Sequence, residues 1–266
     1  MNILVCVKQV PDTTEIKINP ETNTLIREGV PSIINTFDGF ALEMAARLKD
    51  HDNDVKIVAM SMGPPQAKNA LKECLSVGAD KAYLVSDRAF GGSDTLATSY
   101  ILSKAVKAVE AEEGAFDVIF CGKQAIDGDT AQTGPELAEH LNYPQITCVT
   151  EIEIVDGMVR AERETEYGRE VWESAMPAVV TVTKPAFEPR YPSIKSKMAA
   201  NRAAIPLLTI ADIGSEEAKS GLKGSPTKVQ KIFVPPRKSG GVLIRDEDVK
   251  KSVSKLAALL SDIGLV

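Results

Sequence analysis

Histidine is nearly missing from this 266-residue chain, which has only His51 and His140. Neither stands at metal-ligand spacing from a Cys, Asp or Glu, and His51 falls in the polar run 49–54 (KDHDND). Both read as solvated surface residues, which argues against histidine acid–base chemistry and a histidine metal centre. Cysteine is also sparse: Cys6, Cys74, Cys121 and Cys148 form no C-x-x-C pair, and three of them (Cys6, Cys121, Cys148) lie in apolar strand-like runs as small core residues. That usage suits a reducing compartment. Basic charge is in deficit, with 31 Lys and Arg against 37 Asp and Glu for a net charge of −6, so nucleic acid is not an expected partner. No run of about 18 apolar residues exists, and the opening apolar run is too short for a signal peptide. The chain is therefore expected to be cytoplasmic, with no membrane insertion. No Ser/His/Asp or Cys/His set can be assembled, so no catalytic residue and no metal ligand is expected. Any redox or transfer chemistry must come from a bound cofactor.

What the chain does have is apolar substance: 44% hydrophobic residues, enough for a full core in one large or two small domains. Short apolar runs alternate with longer amphipathic ones. Ile3–Val7, Val55–Ser61, Ala82–Val85 and Asp117–Cys121 read as buried strands, continuous rather than alternating. Between and after them, Phe40–Lys49, Pro65–Val77, Leu96–Glu112 and Ala131–Leu141 have helical periodicity, and Gly78 stops the second helix. This alternation predicts an α/β fold with a doubly wound, mostly parallel sheet and helices on both faces. The pattern changes after residue 145. Ile146–Val155 and Met158–Thr165 form a hairpin around Asp156-Gly157, with a third antiparallel piece over Val171–Ser174. Ala178–Thr183 returns to a buried strand. Beyond it the chain reads as irregular, with a basic stretch, Gly/Pro/Ser-rich connections over Gly221–Pro226 and Val234–Gly241, and one terminal helix over Asp246–Ile263. The domain reading is an α/β nucleotide-binding domain over 1–190, including a hairpin excursion over 146–175. A segment 184–202 and an extended C-terminal arm over 205–266 follow, the arm too poor in core to stand without another surface.

The densest chemical signal is Gly122-Lys123-Gln124-Ala125-Ile126-Asp127-Gly128-Asp129-Thr130-Ala131-Gln132-Thr133. It follows an expected strand and opens an expected helix, the place where open α/β sheets hold ligands. Its glycines let backbone approach a ligand, and the helix N-terminus offers free N–H groups to an anion. Asp129, Thr130, Gln132 and Thr133 could cap the helix or donate to phosphate. A plain capped helix after a turn fits the same residues, since this is neither a Walker A nor a G-x-G-x-x-G element. The end of the first strand (Cys6 to Lys8), the turn Ser61–Pro64 and the stretch Asn35-Thr36-Phe37-Asp38 should converge on that loop. Cys6 and Met62 could line an apolar slot for a purine, or serve as ordinary core.

Val5–Val10, Ser61–Pro64, the Gly122–Gly134 loop and Glu188–Tyr191, taken in order along the chain, resemble the β subunit of electron-transferring flavoprotein. The resemblance implies an obligate heterodimer with an α subunit that holds FAD. The β subunit would hold AMP or, in electron-bifurcating members, a second FAD whose ADP part occupies the AMP position. By position the cofactor contacts would be Cys6, Asn35 to Asp38, Met62 and the loop from Gly122 to Thr133. Ordinary members read Asp-Asp-Asp-x-Asn-Gln-Thr-Gly where this chain has Asp127 to Gly134, so Gly128 and Ala131 remove two side chains and leave room for the bulkier FAD. The bifurcating form implies that NADH delivers hydride to this flavin. Electrons then pass to ferredoxin or flavodoxin and, through the α-subunit FAD, to a flavin-dependent acyl-CoA, enoyl-CoA or 2-hydroxyacid dehydrogenase. The resemblance also makes 184–202 a partner-recognition loop, with Ile194 as apolar anchor between basic Lys195 and Lys197, and makes the arm a wrap around the α subunit. Without it, 184–202 reads as a solvated connector. A nucleotide-binding regulatory protein of universal-stress type shares the α/β core and is the alternative from another class.

Overall fold

The computed structural model describes residues 1–12, 31–230 and 239–265, with the backbone of 18–19 and 24–25. The strands are β1 (Asn2–Cys6), β2 (Gln9–Pro11), β3 (Ile18–Asn19), β4 (Thr24–Leu25), β5 (Ser32–Ile34), β6 (Lys56–Met62) and β7 (Lys81–Val85). They continue as β8 (Val118–Gly122), β9 (Gln145–Val155), β10 (Met158–Thr165), β11 (Gly168–Ala175), β12 (Ala178–Val182) and β13 (Leu207–Leu208). The helices are α1 (Thr36–His51), α2 (Lys68–Val77), α3 (Thr95–Glu113), α4 (Thr133–Leu141), α5 (Ile194–Arg202), α6 (Gly221–Gly224) and α7 (Val249–Asp262).

Nine strands form one sheet in the order β11-β10-β9-β12-β8-β1-β6-β7-β13. All neighbours from β9 to β13 along this order are parallel, and β10 and β11 extend it antiparallel. The continuous apolar runs of β1, β6, β7, β8 and β12 are buried on both faces, as parallel strands require. Alternate residues feed two cores. Ile3, Val5 and Ile57 meet α1 and α2 on one face, while Leu4, Val58 and Ile119 meet α3 and α4 on the other. Each fully buried Leu or Ile contributes about 1.5–3 kcal/mol over leaving it exposed. From β1 the chain winds outward through β6 and β7, then crosses back by α3 to β8 on the other side of β1. The doubly wound topology therefore has its switch point between β1 and β8. The hairpin turn uses Asp156 (φ 51°) and Gly157 (φ 76°), both left-handed, as its two-residue loop demands.

Four features depart from the sequence reading. Helix α4 starts at Thr133 rather than 131, because Asp129 (φ 51°) and Ala131 (φ 54°) are left-handed and keep the chain out of the helix until Gln132. The segment read as irregular contains α5, nucleated where the Ser193 hydroxyl accepts the Ser196 N–H at 3.0 Å. The first part of the tail has a core on this chain: β13 pairs with β7, and Leu208 and Ile213 are buried. A two-residue strand shows no periodicity, so only the sheet edge reveals it. Cys148 is half-buried at a bulge in β9 (φ 59°), whereas Cys74 is fully buried.

Both histidines are exposed, and no helix among the described residues is long and apolar enough to cross a membrane. Ahead of α5, Arg190 is clipped to α1: its guanidinium donates to Glu43 (2.8 Å) and Asp50 (2.6 Å), and its backbone N–H also donates to Glu43 (3.0 Å). The chain divides into two units, Met1–Lys17 with Leu25–Gln230, and Ile18–Thr24 with Lys231–Val266. In the second, α7 is capped by Asp248 and exposes Val249, Val253, Leu256 and Ile263. Residues 234–238 of the connection expected over Val234–Gly241 lie outside the described residues.

Candidate functional site

A cleft of about 1110 Å³ opens across the C-terminal tips of β8, β1, β6, β7 and β13. It thus covers the switch point, where open α/β sheets bind ligands, and its volume is slightly above that of ordinary ligand pockets. Cys6, Met60, Met62 and Cys121 are among the residues on its floor. The Cys121 thiol is held well above its ordinary pKa by a hydrogen bond with Cys6 and by burial, so it is no nucleophile.

One wall is the Gly122–Thr133 loop, and the start of α1 holds it in place. The buried Asn35 amide donates to the Gln124 carbonyl (2.8 Å) and its oxygen accepts the Ile126 N–H (3.0 Å). The buried Asp38 carboxylate accepts the N–H groups of Lys8 (2.7 Å) and Gly122 (3.1 Å), tying the tip of β1 to that of β8. Burial pushes this carboxyl up to about 7, against those hydrogen bonds and Lys8. Gly122 is required here, since a Cβ would stand 2.7 Å from the Phe37 backbone. Asn35 and Asp38 line the cleft, but their polar atoms are spent on scaffolding.

The loop's acids are also answered. Lys8 Nζ pairs with Asp127 at 2.6 Å, and Gln124 Nε2 donates to Asp129 at 2.8 Å. Lys123 forms no ion pair among the described residues, and the side chains of Gln132 and Thr133 have no hydrogen-bond partner there. The backbone N–H groups of Thr133 and Gly134 open α4 with no intrahelical acceptor, as at any helix start. Gly134 lies so close to β12 that a Cβ would meet Thr181 at 2.5 Å. This arrangement of helix start, unpaired cation and spare amide suits an anionic nucleotide.

Among the residues expected at the site, the cleft is lined by Cys6, Asn35, Asp38, Met62, Gly122 to Ala125, Asp127, Gly128 and Thr130 to Thr133. Thr36, Phe37, Ile126 and Asp129 are not part of its lining. Thr36 is exposed, Phe37 packs edge-on to Phe40, Ile126 faces outward, and Asp129 acts through Gln124. The second wall, from Ser86 to Thr98 after β7, was not recognised in the sequence. Its one signal is Gly91-Gly92-Ser93-Asp94 ahead of a helix, which reads equally as a turn. Asp94 caps α3 through the Ala97 N–H (3.0 Å) and accepts the Thr227 hydroxyl (2.8 Å), so the root of the tail forms part of the rim. Ile194, Lys195 and Lys197 lie apart from the cleft lining, on α5, where Ile194 is 82% exposed.

Fold and site together define a doubly wound α/β protein with a ligand crevice at its strand tips. The family model described as electron transfer flavoprotein domain matches residues 22–213. The chain is 54% identical over 250 residues to the electron transfer flavoprotein subunit beta of Megasphaera elsdenii, covering 93% of each. It is 46% identical to the caffeyl-CoA reductase-Etf complex subunit CarD of Acetobacterium woodii over the full length of both. It is 45% identical to Protein FixA of Azotobacter vinelandii over 253 residues, 93% of this chain and 89% of the relative. The chain belongs to the electron transfer flavoprotein family.

Proposed function

We propose that this chain is the β subunit of a heterodimeric electron-transferring flavoprotein of the electron-bifurcating kind, with FAD in the cleft. The observation that carries this reading is the backbone at Ala131. A left-handed alanine (φ 54°) costs about 1–2 kcal/mol that glycine would avoid and asparagine would lessen. Ala131 nevertheless places a small side chain at this strained position in the cleft lining. Nearby Gly128 also lines the cleft with nothing within 4 Å of where its Cβ would be, so both positions leave space for ligand rather than for protein. The cleft volume supports a ligand larger than a mononucleotide.

When bound, the flavin supplies hydride acceptance from NADH and one-electron donation to ferredoxin or flavodoxin and to the α-subunit FAD. The chain's own residues bind and orient it. Lys123, Gln132, Thr133 and the first N–H groups of α4 hold phosphate, the sulfur-lined floor takes an apolar ring, and Asn35 with Asp38 keeps the loop in place. Helix α7, with its exposed Val249, Val253, Leu256 and Ile263, provides a surface for the α subunit. Helix α5 presents Ile194 to a flavin-dependent acyl-CoA, enoyl-CoA or 2-hydroxyacid dehydrogenase, beside Lys195 and Lys197, as an apolar anchor within a polar rim. The relative from the caffeyl-CoA reductase complex supports a partner of that kind.

The test is the flavin and AMP content of the α–β complex purified without oxygen, followed by NADH titration. Two FAD, no AMP and bleaching by NADH are expected. One FAD plus one AMP, with no response to NADH, would make the chain an ordinary electron-transferring flavoprotein β subunit. Separately, Ile194→Ala should raise KM for the partner dehydrogenase about tenfold or more with flavin content unchanged; unaltered turnover with the partner would remove the docking role.

A further inference from the structure

Two of the four cysteines stand side by side at the end of the central strands. On the parallel neighbours β1 and β8, Leu4 pairs with Ile119 and Val5 with Phe120, so the next step of the ladder sets Cys6 beside Cys121. Both side chains point to the α3–α4 side of the sheet, in one buried cluster with Leu4 and Ile119. Neighbouring strands run about 4.8 Å apart, within the Cα separation that a disulfide spans. The two thiols are already hydrogen-bonded to each other. Cys6 is 8% and Cys121 6% exposed, and both line the cleft, so a reagent that reaches them enters through it. The other two cysteines cannot compete for either partner. Cys74 is fully buried on the opposite face of the sheet, and Cys148 lies in β9, which β12 separates from β8.

We propose that Cys6 and Cys121 form an oxidation-sensitive dithiol, which hydrogen peroxide closes to a disulfide unless a nucleotide covers the cleft floor. The shielding rests on the reading that the cleft holds a nucleotide, FAD or AMP alike. Cys121, held protonated, donates to the Cys6 sulfur, so Cys6 is the group that attacks first. Its thiolate forms a bond to one peroxide oxygen, the O–O bond breaks, and the other oxygen takes the proton that Cys6 released and leaves as water. The Cys121 sulfur then bonds to the sulfur of the Cys6 sulfenic acid. The S–O bond breaks, and the Cys121 proton leaves with that oxygen as a second water. The two thiols lose two electrons and two protons, and the peroxide gains both. In a reducing compartment such a bond is transient, so the pair marks a molecule that met oxidant without its cofactor.

The test uses the α–β complex, dialysed free of cleft nucleotide, with hydrogen peroxide as oxidant and peptide mapping as the readout. A peptide linked through Cys6 and Cys121 should appear, and a dithiol reductant should remove it. With FAD or AMP at about ten times its dissociation constant, the linked peptide should form about tenfold more slowly, in proportion to the uncovered clefts. Cys121→Ala should leave Cys6 unlinked and carried on to sulfinic acid, which the reductant does not reverse. Cys6→Ala should leave Cys121 reduced at the same dose. Absence of the linked peptide from the wild type would overturn the inference, as would Cys121 oxidised equally fast in Cys6→Ala. Equal rates with a nucleotide that dialysis shows to be bound would overturn the shielding and leave the cofactor reading standing. Failure of both nucleotides to bind would overturn the shielding together with that reading.

Discussion

The two ends of the central sheet treat polar groups in opposite ways. At the N-terminal ends of the strands three acids have fixed duties. Glu113 is buried among Lys56, Lys81 and the Tyr83 hydroxyl, Asp117 accepts the Asn2 N–H at 2.7 Å, and Asp80 accepts the Ile57 N–H at 2.8 Å while pairing with Lys49. At the C-terminal tips Lys68, Arg88 and Lys123 lack ion-pair partners among the described residues, and two non-glycine residues are left-handed. One end closes its polar network and stabilises the fold. The other leaves capacity open and holds strain, the physical signature of a binding end.

Substitutions can break that contrast. The largest effect is expected at Gly122→Ala, whose new methyl would force apart the backbones joining α1 to β8. About 3 kcal/mol of stability should be lost, with the bound nucleotide lost as well, read by denaturant titration and cofactor content. Glu113→Ala comes next, at about 2–3 kcal/mol, below the usual cost for a buried pair because Lys56 and Lys81 can regain water. Burial opposes the Glu113 charge, but hydrogen bonds from Lys56, Lys81 and Tyr83 win and hold its carboxyl down at about 2. Cofactor content should not change, and if it fell, the division between the two ends would fail.

Asp38 sharpens the comparison through pH. Its folded pKa of about 7 lies above the ordinary 3.8, so the folded state binds the extra proton between those values. Stability should therefore fall as pH rises from about 4 through about 7, at up to about 1.4 kcal/mol per pH unit. Asp38→Asn should flatten that profile, as measured by chemical denaturation at pH 5 and pH 8. The smallest effect is at Ala131→Asn, which should stabilise the chain by about 0.5 kcal/mol by relieving the left-handed alanine. It should also shift cofactor content from FAD toward AMP, and undiminished FAD would show that the space at Ala131 is not used by the ligand.

Most of the fold was legible because buried parallel strands and amphipathic helices have strong periodic signatures, and Asp156-Gly157 announces its hairpin. The Gly122–Thr133 wall was legible from its glycines and its position after a strand. The Ser86–Thr98 wall was not, because its membership depends on the order of strands in the sheet, which local sequence does not carry. Strand β13 and the start of α4 were missed for related reasons. A strand of two residues has no period, and the left-handed turns at Asp129 and Ala131 fall on residues that do not advertise them. The scaffolding duty of Asn35 and Asp38 also needed coordinates, since the same residue types could have touched ligand directly.

The Arg190 clip has a consequence for how such a carrier diversifies. It fastens the root of α5 to Glu43 and Asp50, away from the residues that line the cleft, so the outward face of α5 can vary without disturbing them. On the docking role proposed for α5, changes at Ile194, Lys195, Lys197 and Met198 would alter which enzyme docks while the cleft stays as it is. Loss of Arg190 would instead unfasten α5 itself, whatever its outward face carries.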